Sequence, residues 1–279
     1  MIRAIPFVDI ANPPELGRHA RQRSQAAPTR WLAVALGAIV PLSVLAVWSL
    51  AVALHAMRPQ ILPSPLAVWA AGVDMLRSGD LASALEVSLG RVALGLALGS
   101  AFGLVAGAAL GRSRTLDAYF GPILRAICQI PTIAWLPVFM LIFGIGEELK
   151  IAIIAKAAFL PILLNTFAGV RTASARYHEV ANVLEFSPLQ RLRFVTIPSA
   201  LPMIVSGLRL ALSNAWHVLI VVEMLASASG IGHVMAWSRT LFQLDVVFVT
   251  VVAIGVTGWL MDFAMRAAER RFSPWSASA

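Results

Sequence analysis

The segment His178–Pro202, HEVANVLEFSPLQRLRFVTIPSALP, is a polar and charged interruption between two long apolar stretches. Its apolar residues recur at helical spacing on both sides of Ser187-Pro188, a pair that favours the start of a helix. The segment therefore predicts two short amphipathic helices joined by a turn, each too short and too charged to cross a bilayer. Pro198 and Pro202 are predicted to stop the second helix and to redirect the chain as it re-enters lipid.

The composition of the chain is that of a polytopic membrane protein. Of its 279 residues, 59% are hydrophobic and only 13% are charged, and the mean hydropathy is +0.80. The formal charge of +8 comes from short basic stretches between apolar runs, which indicates membrane topology rather than nucleic-acid binding. The single cysteine, Cys128, excludes an intrachain disulfide and a paired-cysteine metal or redox site.

Apolar runs predict an all-α protein with six transmembrane helices. The spans are Trp31–Leu54, Ser88–Leu110, Tyr119–Phe143, Lys150–Val170, Met203–Leu225 and Val246–Met265. A surface helix is expected at Leu66–Leu76, in the connection after the first span. In the second span a glycine recurs at every fourth position from Gly95 to Gly111, which predicts a close packing face and offers one surface on which two copies could pair.

The distribution of basic residues predicts the orientation. If the N-terminus is cytoplasmic, 14 of the 22 Lys and Arg residues fall on the inner side and five fall on the outer side. This asymmetry places the His178–Pro202 segment and both chain termini in the cytoplasm.

Motifs for chemistry are missing from the sequence. ATP binding needs a Gly-rich loop that ends in Gly-Lys-Ser/Thr, but Lys150 and Lys156, the two lysines of the chain, follow Leu149 and Ala155. The sequence contains no HExxH or GxSxG pattern, so enzyme activity is not expected. If transport is driven by ATP, the nucleotide site must lie on another polypeptide.

The third predicted span is the first candidate for a translocation path. Pro122, Pro131 and Pro137 predict that its helix is broken, and non-helical backbone at membrane depth needs a cavity or protein around it. Ionisable and polar residues of the other spans supply further candidates. The full set of path candidates is Gln129, Pro131, Trp135, Arg209, Asn214, His217 and Glu223.

Two alternatives remain open from the residues alone. The His178–Pro202 segment could lie on lipid headgroups as an amphipathic helix. The chain could also be an ion-coupled secondary transporter or a channel, with Glu223, Asp262 and His217 as a proton relay.

Several motifs resemble the permease subunits of bacterial ABC importers, specifically the nitrate, taurine and aliphatic-sulfonate branch. Glu179-Val180-Ala181 followed by Ile197-Pro198 and Pro202 resembles the cytoplasmic EAA loop of that family. The other matching stretches are Leu62-Pro63-Ser64-Pro65, Pro131-Thr132-Ile133-Ala134-Trp135-Leu136-Pro137, Phe143-Gly144-Ile145-Gly146-Glu147, Gly207-Leu208-Arg209-Leu210 and Val222-Glu223-Met224-Leu225. The resemblance covers about residues 31–275, and it implies a type I importer permease fold in the bacterial inner membrane.

The resemblance also implies an assembly and a domain organisation. A homodimer of this chain would work with two copies of a cytoplasmic ABC ATPase, which binds ATP and Mg, and with a periplasmic or lipid-anchored binding protein. Residues 1–30 and 267–279 would be cytoplasmic tails, and residues 31–266 the permease domain, with a coupling loop at 176–202. The cargo would be a small anion such as nitrate, taurine or an alkanesulfonate.

The family's coupling loop maps onto named positions of this chain. The residues expected to contact the ATPase are Glu179, Val180, Ala181, Val183, Leu184, Glu185, Ser187 and Arg191. Glu185 stands where the family pattern usually has glycine, so the geometry of the turn is the point at which this chain departs from the pattern.

Overall fold

The computed structural model describes residues 30–55, 61–172, 181 and 183–272. The described residues are almost entirely helical, and no strand occurs among them. Contacts divide the chain into two compact units, residues 1–56 and 57–279. The first unit contributes α1 (Arg30–Ala53), which corresponds to the first predicted span.

The second unit contains the remaining helices. They are α2 (Pro65–Ser78), α3 (Asp80–Arg112), α4 (Arg114–Cys128), α5 (Leu136–Phe143), α6 (Glu147–Thr172), α7 (Pro188–Arg191), α8 (Ile197–Ala226), α9 (Ile231–Thr240) and α10 (Leu244–Phe272). A 3₁₀ turn, Thr132–Trp135, precedes α5, and a π-helical turn, Leu192–Thr196, joins α7 to α8. The surface helix predicted at Leu66–Leu76 is α2, which Ser64 caps by accepting a hydrogen bond from the Ala67 N–H at 3.1 Å.

Within the described ranges, four helices are long and apolar enough to cross a membrane, and the count is five if a bent pair forms one span. The bent pair is α4 with the segment Thr132–Phe143, which meet at 96° around Gln129–Pro131. The predicted break in the third span is therefore confirmed. The predicted total of six spans is not reached by this count.

The core of the second unit is formed by α6, which packs between α3 and α8. Gly95, Gly99, Gly103, Gly107 and Gly111 of α3 face α6 so closely that a Cβ atom could not be added. A Cβ at Gly103, for example, would lie 2.8 Å from the Phe159 carbonyl oxygen and 3.0 Å from the Ile162 Cβ. The predicted packing face is confirmed, but α6 of the same chain occupies it. The idea that this stripe pairs two copies is therefore wrong.

Large apolar side chains cover much of the outer surface of the second unit. Phe102, Val105 and Leu141 are 69%, 72% and 88% exposed. Such a surface suits lipid or another apolar partner rather than water.

Candidate functional site

A tight turn follows the end of the helix that contains Ala181. The Phe186 N–H donates a hydrogen bond to the Ala181 carbonyl at 3.0 Å, and Glu185 has a left-handed φ of +51°. This is the geometry of a helix C-terminus closed by a residue in the left-handed region, a position that favours glycine. Glu185 therefore adopts a backbone conformation that glycine takes at lower cost.

The next helix starts immediately after this turn. Ser187 and Gln190 form a reciprocal capping box, and Pro188 occupies the first turn of α7. The Arg191 Nε donates a hydrogen bond to the Phe186 carbonyl at 3.0 Å, which ties α7 back to the turn. The predicted turn and the predicted helix start at Ser187-Pro188 are confirmed at this point, and most of the helix predicted before the turn lies outside the described residues. We refer to the described residues 181 and 183–191 as the interhelical turn.

The interhelical turn presents apolar side chains outward. Val183, Leu184 and Leu189 are 83%, 58% and 73% exposed, whereas Ala181 is 1% exposed and packs inward. We call Val183, Leu184 and Leu189 the apolar knob. A groove on another protein can bind such a set of exposed apolar side chains on a hydrogen-bonded turn. Glu179 and Val180, which were also predicted to lie here, fall outside the described residues.

The chain continues from the interhelical turn into α8 without a break. Helical structure runs from Pro188 to Ala226, so the prediction that Pro198 and Pro202 stop a helix is wrong. The reason is the π-helical turn, in which the Ile197 N–H bonds to the Leu192 carbonyl five residues earlier. This wider turn accommodates Pro198, because the hydrogen-bond register changes there and the proline, which has no N–H, directly follows the i→i−5 bond of Ile197.

At the ends of α6 and α8 that lie away from the interhelical turn, charges from these helices and from α3 form a largely buried group. We call it the ionic cluster: Arg91, Glu147, Lys150 and Glu223, of which Glu147 is the exposed member. Arg91 is 4% exposed, and its Nε and Nη2 donate to the two carboxylate oxygens of Glu147 at 2.8 and 2.7 Å. Its Nη1 donates to Glu223 Oε1 at 2.6 Å. Lys150 Nζ donates to Glu147 Oε1 at 2.6 Å. Two cations and two carboxylates balance each other, which makes their burial tolerable.

Glu223 is the most enclosed member of the ionic cluster, with no exposed surface. Its carboxylate accepts hydrogen bonds from the Ser88 hydroxyl at 2.9 Å and from the Gly232 N–H at 3.0 Å, in addition to Arg91. Gly230, at φ +97°, passes so close that a Cβ there would collide with this carboxylate. Glu223 therefore joins α3, α8 and the start of α9, and it offers no free surface to a solute.

Arg91 and Lys150 are two of the five basic residues that the positive-inside count places on the outer side, and their role in this cluster was not predicted from the sequence. Arg91 and Glu223 are 132 residues apart, and no spacing rule connects them. One local signal was available. Gly230-Ile231-Gly232 is a run in which two glycines flank an apolar residue, and the structure shows that it wraps around the Glu223 carboxylate.

A second group of charges links α8 to α10. Arg209 Nε donates to Asp262 Oδ1 at 2.7 Å, and Arg266 Nη2 lies 2.6 Å from the other carboxylate oxygen. Arg209 also lies 3.6 Å from Glu269. Arg209, a path candidate, and Asp262, a relay candidate, are thus engaged in ion pairs.

The other path candidates lie on two separate surfaces. Asn214 and His217 are exposed on one face of α8, and His217 lines a cavity of about 280 Å³ together with Trp216, Trp259 and Asp262. Gln129 and Pro131 are exposed at the break in the third span, and Trp135 is partly buried just after it. The described part of the chain contains no cluster of three or more His, Cys, Asp or Glu residues that could hold a metal ion.

Comparison with known proteins agrees with this architecture. Residues 99–274 match the family described as "Binding-protein-dependent transport system inner membrane component". The chain is 36% identical over 242 residues to the putative aliphatic sulfonates transport permease protein SsuC of Bacillus subtilis, covering 87% of this chain and 88% of that protein. It is 32% identical over 252 residues to the taurine transport system permease protein TauC of Escherichia coli, covering 88% and 91%.

A third relative and two solved structures extend the comparison. The nitrate import permease protein NrtB of Synechococcus elongatus is 33% identical over 156 residues, 56% of each chain. Two inward-facing structures of the MetNI methionine ABC transporter share the fold, with TM-scores of 0.59 and 0.60 at 19% identity. They cover 66% and 70% of this chain, and 92% and 97% of theirs. The chain therefore belongs to the family of binding-protein-dependent transport system inner membrane components, as a multi-pass permease subunit of an ABC importer.

Proposed function

We propose that this chain forms the translocation path for a small anionic solute of the nitrate, taurine or alkanesulfonate class. Two copies of the chain would enclose the path, and two copies of a cytoplasmic ABC ATPase, which binds ATP and Mg, would drive it. A periplasmic or lipid-anchored binding protein would deliver the solute. The cargo names of the SsuC, TauC and NrtB relatives support this substrate class.

One observation carries the proposal that the interhelical turn is the coupling site. Its exposed apolar side chains stand on a turn held by hydrogen bonds, and the turn is continuous with α8 through the π-helical turn. A movement of a partner protein bound to this surface would therefore be transmitted directly to the membrane-spanning helix α8. Because the ionic cluster lies at the other end of α6 and α8, a cytoplasmic coupling site would put the cluster on the outer side, and we propose that both termini are cytoplasmic.

The ion-coupled carrier finds little support in the described residues. Glu223 and Asp262, the two carboxylates of the suggested relay, lie in separate groups of charges, where Glu223 pairs with Arg91 and Asp262 pairs with Arg209.

The test is co-purification of the chain with its ATPase, followed by ATP-driven uptake in proteoliposomes. Leu184→Asp places a charge on the apolar knob and is expected to abolish both co-purification and uptake. Phe242→Asp is the matched control for co-purification, since Phe242 is an apolar side chain, 80% exposed, in the turn between α9 and α10. Unchanged co-purification and uptake in Leu184→Asp would rule out the interhelical turn as the coupling site.

A further inference from the structure

Lys156 stands apart from the other cations of the helix bundle. It is the tenth residue of α6, which places it about 14 Å along the helix axis from Glu147 and near mid-depth of a bilayer core about 30 Å thick. Its Nζ atom is buried and has no hydrogen-bond partner. The Nζ atom makes a cation–π contact with the Trp135 ring, whose centroid lies 5.2 Å away.

Six other cations of the described helices pair with carboxylates. Arg91 and Lys150 belong to the ionic cluster, Arg125 and Arg171 pair with Asp117, and Arg209 and Arg266 pair with Asp262. A cation at mid-depth is costly, and a contact with an aromatic ring offsets only part of that cost. Lys156 therefore destabilises the resting fold, which is typical of a residue retained for function.

Trp135 adds a second unused donor beside Lys156. Its indole N–H is buried and also lacks a partner. Both groups donate hydrogen bonds and neither accepts one, so the ligand that satisfies them must bring acceptor atoms and negative charge. An oxyanion such as a sulfonate, a nitrate or a carboxylate has this property, and its bond to an ammonium is among the stronger hydrogen bonds.

The surroundings of the two donors also suit a transported solute. Trp135 belongs to the 3₁₀ turn that follows the 96° break in the third span, where the backbone leaves helical geometry. The aliphatic stem of Lys156 lines an apolar cavity of about 340 Å³ whose other walls are Gly99, Phe102, Ala155 and Phe159. This space suits the carbon skeleton of a small organic anion, and the two buried donors lie beside it rather than in its walls.

We propose that the Lys156 ammonium and the Trp135 indole N–H form the anion-selective point of the translocation path. The oxyanion of the solute would replace the aromatic ring as the partner of Lys156 during passage. The inference rests on the proposed function, which it deepens by naming the residues that recognise charge. A lipid phosphate offers the same chemistry as a sulfonate, so the test separates the two sources.

The experiment reconstitutes the chain with its ATPase and binding protein and measures uptake of ethanesulfonate, taurine and nitrate. Lys156→Met is expected to reduce uptake by about tenfold or more, as for the loss of one charge-assisted hydrogen bond, with binding-protein-stimulated ATP hydrolysis retained. Lys156→Arg is expected to keep most of the uptake, and Trp135→Phe to reduce it by a smaller factor. Arg239→Met, which removes an exposed cation in the last turn of α9, is the charge-matched control.

Thermal unfolding distinguishes a role of Lys156 in anion binding from a structural role, because the two roles predict opposite changes in Tm. Removal of an unpaired buried charge is expected to raise the Tm of Lys156→Met, whereas loss of a structural contact would lower it. Vesicles of phosphatidylcholine alone are compared with vesicles that contain phosphatidylglycerol. If the effect of Lys156→Met requires phosphatidylglycerol, the ligand is a lipid headgroup and the solute assignment is overturned.

The outcomes are distinguishable from a failure of the proposed function. Wild-type complexes that move none of the three probes would refute the proposed substrate class and this inference with it. Wild-type uptake that Lys156→Met leaves unchanged would overturn the inference alone. A Lys156→Arg complex that assembles but is as inactive as Lys156→Met would also overturn it, since positive charge would then not be the property required.

Discussion

Replacing Arg91 by methionine is the most direct test of the ionic cluster. Methionine keeps much of the aliphatic stem but removes the guanidinium, so Glu223 stays fully buried with only Ser88 and the Gly232 N–H as partners. Breaking a buried pair in this way costs about 3–5 kcal/mol. Glu147, the other partner of Arg91, is 56% exposed, so its release adds only about 0–1 kcal/mol. We expect a loss of about 3–5 kcal/mol in unfolding free energy.

A double-mutant cycle measures the interaction energy between Arg91 and Glu223 separately from the effects of their other neighbours. Glu223→Gln removes the charge but leaves an amide oxygen that can still accept from Ser88. In Arg91→Met/Glu223→Gln no carboxylate is stranded, so the double variant is expected to be more stable than the sum of the single losses predicts, by about 1–3 kcal/mol.

The assay is reversible unfolding in mixed detergent micelles, followed by tryptophan fluorescence, with Arg239→Met as an exposed control. Additivity of the two single changes within about 0.5 kcal/mol would refute the reasoning, because it would show that Arg91 and Glu223 do not depend on each other. A loss below about 1 kcal/mol in Arg91→Met would refute it as well, since that is the scale of an exposed pair.

Two further predictions concern backbone geometry, and both are measured as changes in unfolding free energy in the same micelles. Glu185→Gly is expected to stabilise the chain by about 1 kcal/mol, because glycine adopts a positive φ without the penalty of a Cβ, and Glu185→Val is expected to destabilise it. Equal stabilities for these two variants would contradict the assigned turn. Gly103→Val is expected to cost about 1–3 kcal/mol, since its Cβ would meet the Phe159 carbonyl on the α6 backbone. The control is Gly90→Ala, where nothing lies within 4 Å; a comparable loss there would show that close packing is not the cause.

Local features of the fold were predictable from the sequence because local rules govern them. Ser187-Pro188 identified the start of α7, and Pro131 identified the break in the third span, since a cap and a missing N–H act within one turn of the chain. The same proline rule failed at Pro198. There the π-helical turn changes the hydrogen-bond register just before the proline, and residue type alone does not reveal that change.

Long-range features were not predictable in the same way. The glycine repeat of α3 predicted a packing face but not the helix that packs against it, which could have belonged to another copy of the chain. Only the fold shows that this helix is α6. Likewise, the sequence named Trp135 as a path candidate, but only the fold shows that Lys156 lies beside it and that neither donor has a hydrogen-bond partner. The ATPase contacts predicted at Glu179 and Val180 stay predictions.

The pairing of Arg91 with Glu223 also sets an order of events during biosynthesis. Glu147 is made 56 residues after Arg91, and Glu223 is made 132 residues after it. At ribosomal speeds of about 5–20 residues per second, Glu147 is synthesised roughly 3 to 11 s after Arg91, and Glu223 roughly 7 to 26 s after it. The inserted helix α3 must therefore keep Arg91 near the headgroups or in the translocon until α8 emerges. A nascent chain halted before Glu223 would hold Arg91 with Glu147 alone, which makes completion of α8 the step that commits the bundle to its final packing.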